Sequence, residues 1–312
     1  MPNTSAHTPF KSEEGRRQYE DAYAATMALW PVSYQDVDVE TTFGTTHVHV
    51  CGPRWAPPLV LLHGMRVSSA SWAAQVGALS RSYRILAPDL VWDYGKSAAH
   101  KPMEHFADAT RWLCELLDAF AIERASLLGI SYGGWIAARQ ALRFPQRVDR
   151  VALLAPAATF RTLSATFVLK SMPMAVLKTH AATDRYMRWA AVREHGQDER
   201  YDQVMDRLVH QLHMGVRHIQ DPSHILPDVL TDEELAGIKA PVLMMVGAQE
   251  KIYDPRAALQ RATQHIEHIQ AFLVEDASHD IQLAQTERVN AHLLAFLRGE
   301  LEGGRGASVG SL

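Results

Sequence analysis

The sequence predicts an α/β fold in which a mostly parallel, doubly wound sheet is covered by helices on both faces. Short runs of consecutive apolar residues alternate with helical patterns, and strands that are apolar throughout are typical of a sheet buried on both faces. The chain has 312 residues, 47% hydrophobic and 21% charged, which allows one large domain with an inserted segment. One long interval, residues 157–239, contains only helical patterns.

The first part of the chain, residues 1–35, predicts an extension that carries one helix. Residues 1–9 are expected to be disordered, and an amphipathic helix is expected over residues 11–29, before a proline. Polar and apolar residues then alternate over 37–43 and again over 46–50, which predicts two strands.

Further apolar runs predict the buried strands of a core formed by residues 36–156 and 240–300. These runs lie at 59–62, 83–87, 125–129, 151–154, 242–246 and 271–274. Helices are predicted between them at 69–79, 103–120, 132–144, 255–266 and 281–297. Because the interval 157–239 follows the sixth predicted strand, we interpret it as an inserted helical cap. The Gly- and Ser-rich tail, residues 301–312, is expected to be disordered.

Charge and composition argue against several classes of partner. The formal net charge is -4, so no basic field favours nucleic acid. No apolar run approaches the roughly 20 residues needed to span a bilayer, and the charged N-terminal region does not fit a signal peptide. Cys51 and Cys114 are expected to be buried free thiols in a reducing compartment. We therefore expect a cytoplasmic protein, monomeric or homodimeric, without membrane or nucleic-acid partners.

A GxSxG pattern at residues 129–133 marks Ser131 as the candidate nucleophile. It follows a predicted strand and precedes a predicted helix, the context that a nucleophile elbow requires. Gly129 and Gly133 are small enough for so tight a turn. The turn would offer the backbone N–H of Tyr132 to a developing oxyanion. The pattern alone is common, and its place between strand and helix makes it specific.

A serine hydroxyl needs a base, and on this type of fold the chain order is serine, acid, histidine. His279 lies in a short loop between the last apolar run and the final predicted helix, so we predict that it is the base. Glu250, in the loop after the strand at 242–246, is the predicted acid. Asp254 is the alternative, although its position before Pro255 suits a helix N-cap.

The loop after the strand at 59–62 is expected to supply the second oxyanion donor. In this loop Gly64 lets the backbone turn, and the N–H of Met65 is predicted to point inward. His63 is expected to brace the loop rather than act as a base.

Four short motifs indicate a family. They are FKSEEG at 10–15, FGTTHV at 43–48, TDEEL at 231–235 and IYDP at 252–255. With them the chain resembles the α/β-hydrolase superfamily over residues 10–298, and more closely the bacterial carboxylesterases of the naproxen-esterase type. The resemblance implies cofactor-free hydrolysis with Ser, Glu and His, which favours Glu250 over Asp254. Tyr132 departs from the pattern of this family, in which a smaller residue often follows the serine.

Together these features predict a carboxylesterase that cleaves small to medium lipophilic esters through an acyl-enzyme intermediate. Met65 and Tyr132 are expected to contact substrate, as are Trp189 and Met214 of the helical interval, which is rich in Met and aromatic residues. The cluster His210, His213 and His218 is interpreted as a polar face of the cap, and no metal site is predicted.

Three alternatives remain to be weighed against this function. The same triad could act on a thioester, a lactone, an amide or a carbon–carbon bond. Epoxide hydrolases and haloalkane dehalogenases use an aspartate nucleophile, which Ser131 argues against. A ligand-binding protein on the same fold could retain the triad without turning over a substrate.

Overall fold

A ten-stranded sheet forms the centre of the computed structural model, which describes residues 10–192, 196, 198–220, 225–301 and 310–311. The disorder expected for residues 1–9 lies outside the described residues. The strands are β1 (Gln35–Thr41), β2 (Gly44–Cys51), β3 (Pro58–Leu62), β4 (Arg84–Pro88), β5 (Ala98–Ala99), β6 (Ala125–Ile130), β7 (Val148–Leu154), β8 (Val242–Gly247), β9 (Ile269–Val274) and β10 (Gly310–Ser311).

The helices lie between these strands, much as the sequence predicts. They are α1 (Glu13–Met27), α2 (Ala73–Leu79), α3 (Phe106–Ala119), α4 (Tyr132–Arg143), α5 (Ala165–Leu177), α6 (His180–Ala190), α7 (Glu199–His218), α8 (Asp232–Gly237), α9 (Pro255–His265), α10 (Ile281–Ala284) and α11 (Thr286–Leu297). Within the described ranges, no helix is both long enough and apolar enough to cross a membrane.

The sheet is mostly parallel, as predicted. Its order is β1-β2-β4-β3-β6-β7-β8-β9-β10, with β5 paired to β2. Pairing is antiparallel from β1 through β2 to β4 and parallel from β4 to β10. The carboxyl ends of the parallel strands therefore meet at one edge, where the loops carrying the candidate catalytic residues emerge.

Both faces of the sheet are buried, which explains the continuous apolar runs. Along β3, Val60 and Leu62 belong to one hydrophobic cluster, whereas Leu59 and Leu61 belong to a second cluster. Since successive side chains of a strand point to opposite faces, each cluster is the packing layer between one face and its helices. All six residues of β6 are buried.

Several details differ from the sequence-based expectation. The predicted helix at 69–79 begins as a 3₁₀ turn, and the one at 281–297 is divided into α10 and α11 at Gln285. The short strand β5 was not expected. Gly310 and Ser311 form β10 beside β9 by backbone pairing, so the expectation of a disordered tail is wrong there, while residues 302–309 and 312 lie outside the described residues. Both thiols are free, but Cys114 is only half-buried.

The interval between β7 and β8 contains helices α5 to α8 and no strand over its described parts, residues 157–192, 196, 198–220 and 225–239. The N-terminal helix α1 packs along α7 of this interval. Gly15 permits the close approach, since a Cβ there would lie 2.7 Å from Nδ1 of His218. The N-terminal extension is thus joined to the helical interval, a contact that its sequence does not predict.

Candidate active site

The candidate nucleophile lies on a strained turn between β6 and α4. Ser131 has φ 52° and ψ -115°, a conformation that costs about 1–3 kcal/mol for a non-glycine residue and is characteristic of functional sites. A Cβ on Gly129 would lie 2.2 Å from the Gly133 carbonyl oxygen, and one on Gly133 would lie 2.0 Å from that of Leu62. Only glycine fits at either position. The two glycines therefore permit the tight turn on which Ser131 lies.

The predicted acid and base are in direct contact. Nδ1 of His279 lies 2.8 Å from Oε2 of Glu250. The other carboxylate oxygen, Oε1, accepts hydrogen bonds of 2.9 Å each from the backbone N–H groups of Lys251 and Ile252. The Glu250 side chain is fully buried, and that of His279 is 16% exposed. The carboxylate is therefore fixed in an orientation that holds the imidazole.

The alternative acid serves a structural purpose. Asp254 is the N-cap of α9, and its side chain accepts a hydrogen bond from the backbone N–H of Ala257 at 3.0 Å. Pro255 occupies the first helical position, where no backbone donor is needed. This geometry leaves Glu250 as the carboxylate at His279.

The pKa of His279 is raised above the ordinary histidine value. Burial by itself lowers this pKa, but the negative charge of Glu250, the hydrogen bond to that carboxylate and the charge of Asp280 together outweigh the effect of burial. The imidazole is thus a stronger base than a free histidine, as the abstraction of a hydroxyl proton requires.

Ser131 and His279 line one cavity of about 370 Å³. It opens above the sheet edge beneath the helical interval, and its walls are largely apolar. Side chains that contribute to the walls include Leu163, Phe167, Met174, Tyr186, Met187, Leu208, Leu212, Leu226 and Ile252. A lipophilic ligand of moderate size is the kind of molecule that such a cavity accommodates.

The loop after β3 is braced from below, as expected for His63. Its ring is fully buried, with Nδ1 2.8 Å from the carbonyl oxygen of Gly64 and Nε2 accepting the backbone N–H of Leu90 at 2.9 Å. Arg66 has a left-handed backbone with φ 62°, and its N–H is bound by the Asp93 carboxylate. These contacts fix the backbone on both sides of Met65, which lines the cavity.

The bulky residue after the nucleophile is packed into the protein. The Tyr132 hydroxyl accepts a hydrogen bond from Nε1 of Trp92 at 3.1 Å and donates one to the carbonyl oxygen of Ile225 at 2.9 Å. Its ring stacks on Trp135, and burial raises the pKa of the phenol. The residue still contributes to the cavity wall, but its hydroxyl is held by internal partners.

The other two predicted substrate contacts, Trp189 and Met214, are not among the residues that line the cavity. Met214 is buried and lies about 200° around α7 from Leu212, which does line it, because the two residues are two positions apart on the helix. Trp189 packs beside Tyr186, while its neighbours Met187 and Ala190 line the wall. The predicted pocket role of Trp189 and Met214 is therefore not supported by their positions. Met-richness identified the correct helices but could not indicate which of their faces is turned inward.

The loops that carry the candidate acid and base are bound to the helical interval by hydrogen bonds. Nζ of Lys251 donates hydrogen bonds of 2.8 Å each to the carbonyl oxygens of Trp189 and Ala191. The backbone N–H of His279 donates to the carbonyl oxygen of Ala190 at 3.2 Å. These contacts fasten the end of α6 to the triad loops.

A buried carboxylate, Asp89, organises the loop after β4. It accepts hydrogen bonds from the backbone N–H and the hydroxyl of Ser69, from the Tyr23 hydroxyl and from the backbone N–H of Lys96, at 2.6–2.9 Å. A buried carboxylate with this many donors is a structural anchor of the polypeptide around it.

Known proteins provide an independent comparison with this geometry. Residues 59–292 match the model of the alpha/beta hydrolase family. Carboxylesterase YbfK of Bacillus subtilis is 34% identical over 296 residues, which cover 93% of this chain and 96% of that protein. The crystal structure of naproxen esterase from Bacillus subtilis matches with a TM-score of 0.84 and 31% identity, over 92% of this chain and 99% of that chain.

A more distant solved structure shares the fold alone. A meta-cleavage product hydrolase from Pseudomonas fluorescens matches with a TM-score of 0.69 and 22% identity, over 85% of this chain and 98% of that chain. The resemblance inferred from the sequence motifs is confirmed by the more similar proteins.

Proposed function

This chain belongs to the alpha/beta hydrolase family, and on that premise we propose that it is a carboxylesterase with Ser131 as nucleophile, His279 as base and Glu250 as acid. The observation that carries the proposal is the 2.8 Å contact between His279 Nδ1 and the buried Glu250 carboxylate, in a cavity that Ser131 also lines. The carboxylesterase identity of YbfK and the naproxen esterase supports the same reaction class.

The contact with Glu250 sets the tautomer of the base. The carboxylate accepts the proton on Nδ1 of His279, which leaves the lone pair of Nε2 for the hydroxyl proton of Ser131. As the proton moves to Nε2, the serine oxygen attacks the ester carbonyl. The negative charge of Glu250 stabilises the imidazolium that forms, and the imidazolium then protonates the departing alcohol.

Two backbone N–H groups are proposed to hold the oxyanion, those of Met65 and Tyr132. Tyr132 begins α4 directly after the elbow, so its N–H shares the positive end of the helix. Met65 belongs to the loop braced by His63 and Asp93. Donors fixed in this way stabilise the charge of the transition state without reorganising. Water then replaces the alcohol and repeats the cycle to release the acid.

We infer that the substrates are small to medium lipophilic esters. The walls of the cavity are apolar, and its volume of about 370 Å³ suits a compact acyl group rather than a polymer. A charged acyl group would lose hydration against these largely apolar walls. Thioesters, lactones, amides and carbon–carbon bonds share the serine chemistry, so a substrate panel must include them.

The test is hydrolysis of p-nitrophenyl esters by wild type and Ser131→Ala, with labelling by a fluorophosphonate probe. We expect wild type to hydrolyse the esters and to bind the probe covalently, and Ser131→Ala to do neither. Ester hydrolysis by the Ser131→Ala variant at the wild-type rate would overturn the assignment of Ser131 as the nucleophile. A wild type that neither labels nor hydrolyses would favour a ligand-binding protein.

A further inference from the structure

Four ionisable side chains share one face of the hairpin formed by β1 and β2, at the end of the sheet opposite β9 and β10. Asp36 pairs with His49 and Asp38 with His47 across the strands. Residues directly opposite each other in a ladder, and residues two apart along a strand, project from the same face. The hairpin therefore brings two carboxylates and two imidazoles into one cluster.

Three ligand-type atoms of this cluster converge. Oδ1 of Asp36 lies 2.6 Å from Nδ1 of His49 and 3.6 Å from Nε2 of His47, and the three groups offer ligand atoms within 4.8 Å of one another. His47 is 7% exposed, and its buried Nε2 has no hydrogen-bond partner in the described part of the chain. A buried nitrogen that is left unpaired in this way requires an explanation.

The second nitrogen of His47 shows which atom is free to bind a ligand. Nδ1 lies 2.6 Å from Oδ1 of Asp38, and a carboxylate can only accept, so Nδ1 carries the proton. Nε2 consequently presents a lone pair towards Asp36. A histidine whose outer nitrogen is held by a carboxylate is the usual arrangement around a protein-bound zinc ion.

The same reasoning applies to His49. Its Nε2 lies 2.6 Å from the Tyr23 hydroxyl, and that hydroxyl donates its single proton to Asp89. Nε2 of His49 must therefore be the donor to Tyr23. Nδ1 is then the nitrogen of His49 that faces the Asp36 carboxylate, at 2.6 Å from Oδ1.

We propose that Asp36, His47 and His49 bind a divalent transition-metal ion of the zinc type through Oδ1, Nε2 and Nδ1. Zinc bonds to imidazole and carboxylate measure about 2.0–2.2 Å in tetrahedral sites, which separates the ligand atoms by about 3.3–3.6 Å. The 3.6 Å between Asp36 and His47 already has this spacing. The shorter contact opens by rotation of Asp36, whose side chain is 50% exposed, and water completes the coordination.

The ion would act on structure and not on the ester chemistry. It would join β1 to β2 and fix His49, which contacts Tyr23 and through it Asp89. Binding to the folded state alone raises stability by mass action. None of the three ligands lines the cavity of Ser131, so zinc bound here should raise the unfolding temperature of wild type without being required for ester hydrolysis.

The test uses the purified chain, stripped with a chelator and then titrated with Zn²⁺, with elemental analysis after dialysis and thermal unfolding as readouts. We expect one tightly bound zinc per wild-type chain and a higher unfolding temperature with zinc. His47→Ala and Asp36→Asn should lose both effects. Asp38→Asn should weaken zinc binding about 10- to 100-fold, because it removes the partner that orients His47.

Two control variants separate this site from other imidazoles. His180→Ala changes an exposed ring beside His213 in the helical interval, and His279→Ala removes the proposed base. Both should retain the zinc-dependent rise in unfolding temperature. Ester hydrolysis by His279→Ala tests the proposed function separately, because the zinc-dependent rise in unfolding temperature does not depend on it.

Two results would overturn the assignment. The first is a stripped wild type that takes up no zinc. The second is zinc uptake by Asp36→Asn with the affinity of wild type. Since Asp36 is half exposed, this variant is expected to fold, and circular dichroism of the zinc-free protein verifies that it does.

Discussion

Replacing Glu250 with glutamine tests how the acid acts on the base. Oε1 of Glu250 accepts two backbone N–H groups, those of Lys251 and Ile252. The amide of a glutamine has one acceptor oxygen, and these donors will hold it in the Oε1 position. The NH₂ group then replaces Oε2 beside His279. Because that group donates, Nδ1 of His279 becomes the acceptor and the ring proton moves to Nε2.

In that tautomer His279 presents an N–H to Ser131 instead of a lone pair, so proton abstraction fails. The substitution of an acid by its amide lowers kcat about 10⁴-fold in the serine-protease triad, which corresponds to about 5.4 kcal/mol of transition-state stabilisation. We expect a loss of kcat/KM of this order in Glu250→Gln. The unfolding temperature should change little, because the two backbone hydrogen bonds are retained.

The assay is p-nitrophenyl ester hydrolysis at neutral pH, with two matched variants. Glu250→Asp keeps the carboxylate with one methylene less and should retain far more activity than Glu250→Gln. Asp254→Asn changes the N-cap of α9 to another good N-cap residue and should behave like wild type. If kcat/KM of folded Glu250→Gln stayed within about tenfold of wild type, the tautomer argument would be refuted.

Three further predictions follow from the same site. The kcat/KM of wild type should fall as pH drops through the raised pKa of His279, because only the neutral imidazole accepts the proton of the nucleophile. In Glu250→Gln the acidic limb of the measured pH profile should move to lower pH, since the charge and the hydrogen bond that raise this pKa are gone. Gly133→Ala should lower the free energy of unfolding by about 1–3 kcal/mol or more, because its methyl would lie 2.0 Å from the Leu62 carbonyl oxygen. Calorimetry measures this change. The control is Gly237→Ala, in which the methyl meets only the flexible end of a leucine side chain. Each methylene added to the acyl chain should raise kcat/KM about fourfold until the cavity is filled, because its burial contributes about 0.8 kcal/mol; a flat series from acetate to butyrate would contradict the cavity as the acyl site.

The core of the fold could be predicted because its signals are local. An apolar run of strand length indicates directly that the strand is buried on both faces, as in β6 and β8. The short strand β5 escaped prediction because its two residues, Ala98 and Ala99, carry no periodic pattern. The pairing of β10 with β9 joins residues distant in the chain. The composition around β10 is that of a flexible tail, so no local pattern distinguishes this strand from its surroundings.

The proximity of the candidate acid and base could be predicted for a different reason. Strand ends of a parallel sheet meet at one edge, so residues in the loops after β6, β8 and β9 become neighbours whatever their separation in sequence. Ser131, Glu250 and His279 each follow such a strand. No comparable rule identifies the residues that line the cavity, because a shift of one residue along a helix turns a side chain by about 100°, away from the cavity wall. Trp189 and Met214 show the consequence.

Buried polar networks were the least predictable feature. Asp36 and His49 read as ordinary alternation in a half-exposed strand, and only the register of β1 against β2 places them opposite each other. The fully buried Tyr23 then joins His49 to Asp89. These contacts connect three elements from separate parts of the chain, so their geometry depends on tertiary packing and not on any local pattern.

The contacts between the helical interval and the loops of Glu250 and His279 imply that the position of this interval and the geometry of the proposed triad are coupled. Lys251 follows the acid and binds the end of α6, while Asp280 follows the base and accepts the Tyr201 hydroxyl of α7 at 2.5 Å. A displacement of these helices would therefore pull on the neighbours of both Glu250 and His279. The interval that shapes the apolar wall thus also positions the proposed acid and base, which would tie substrate fit to catalytic geometry.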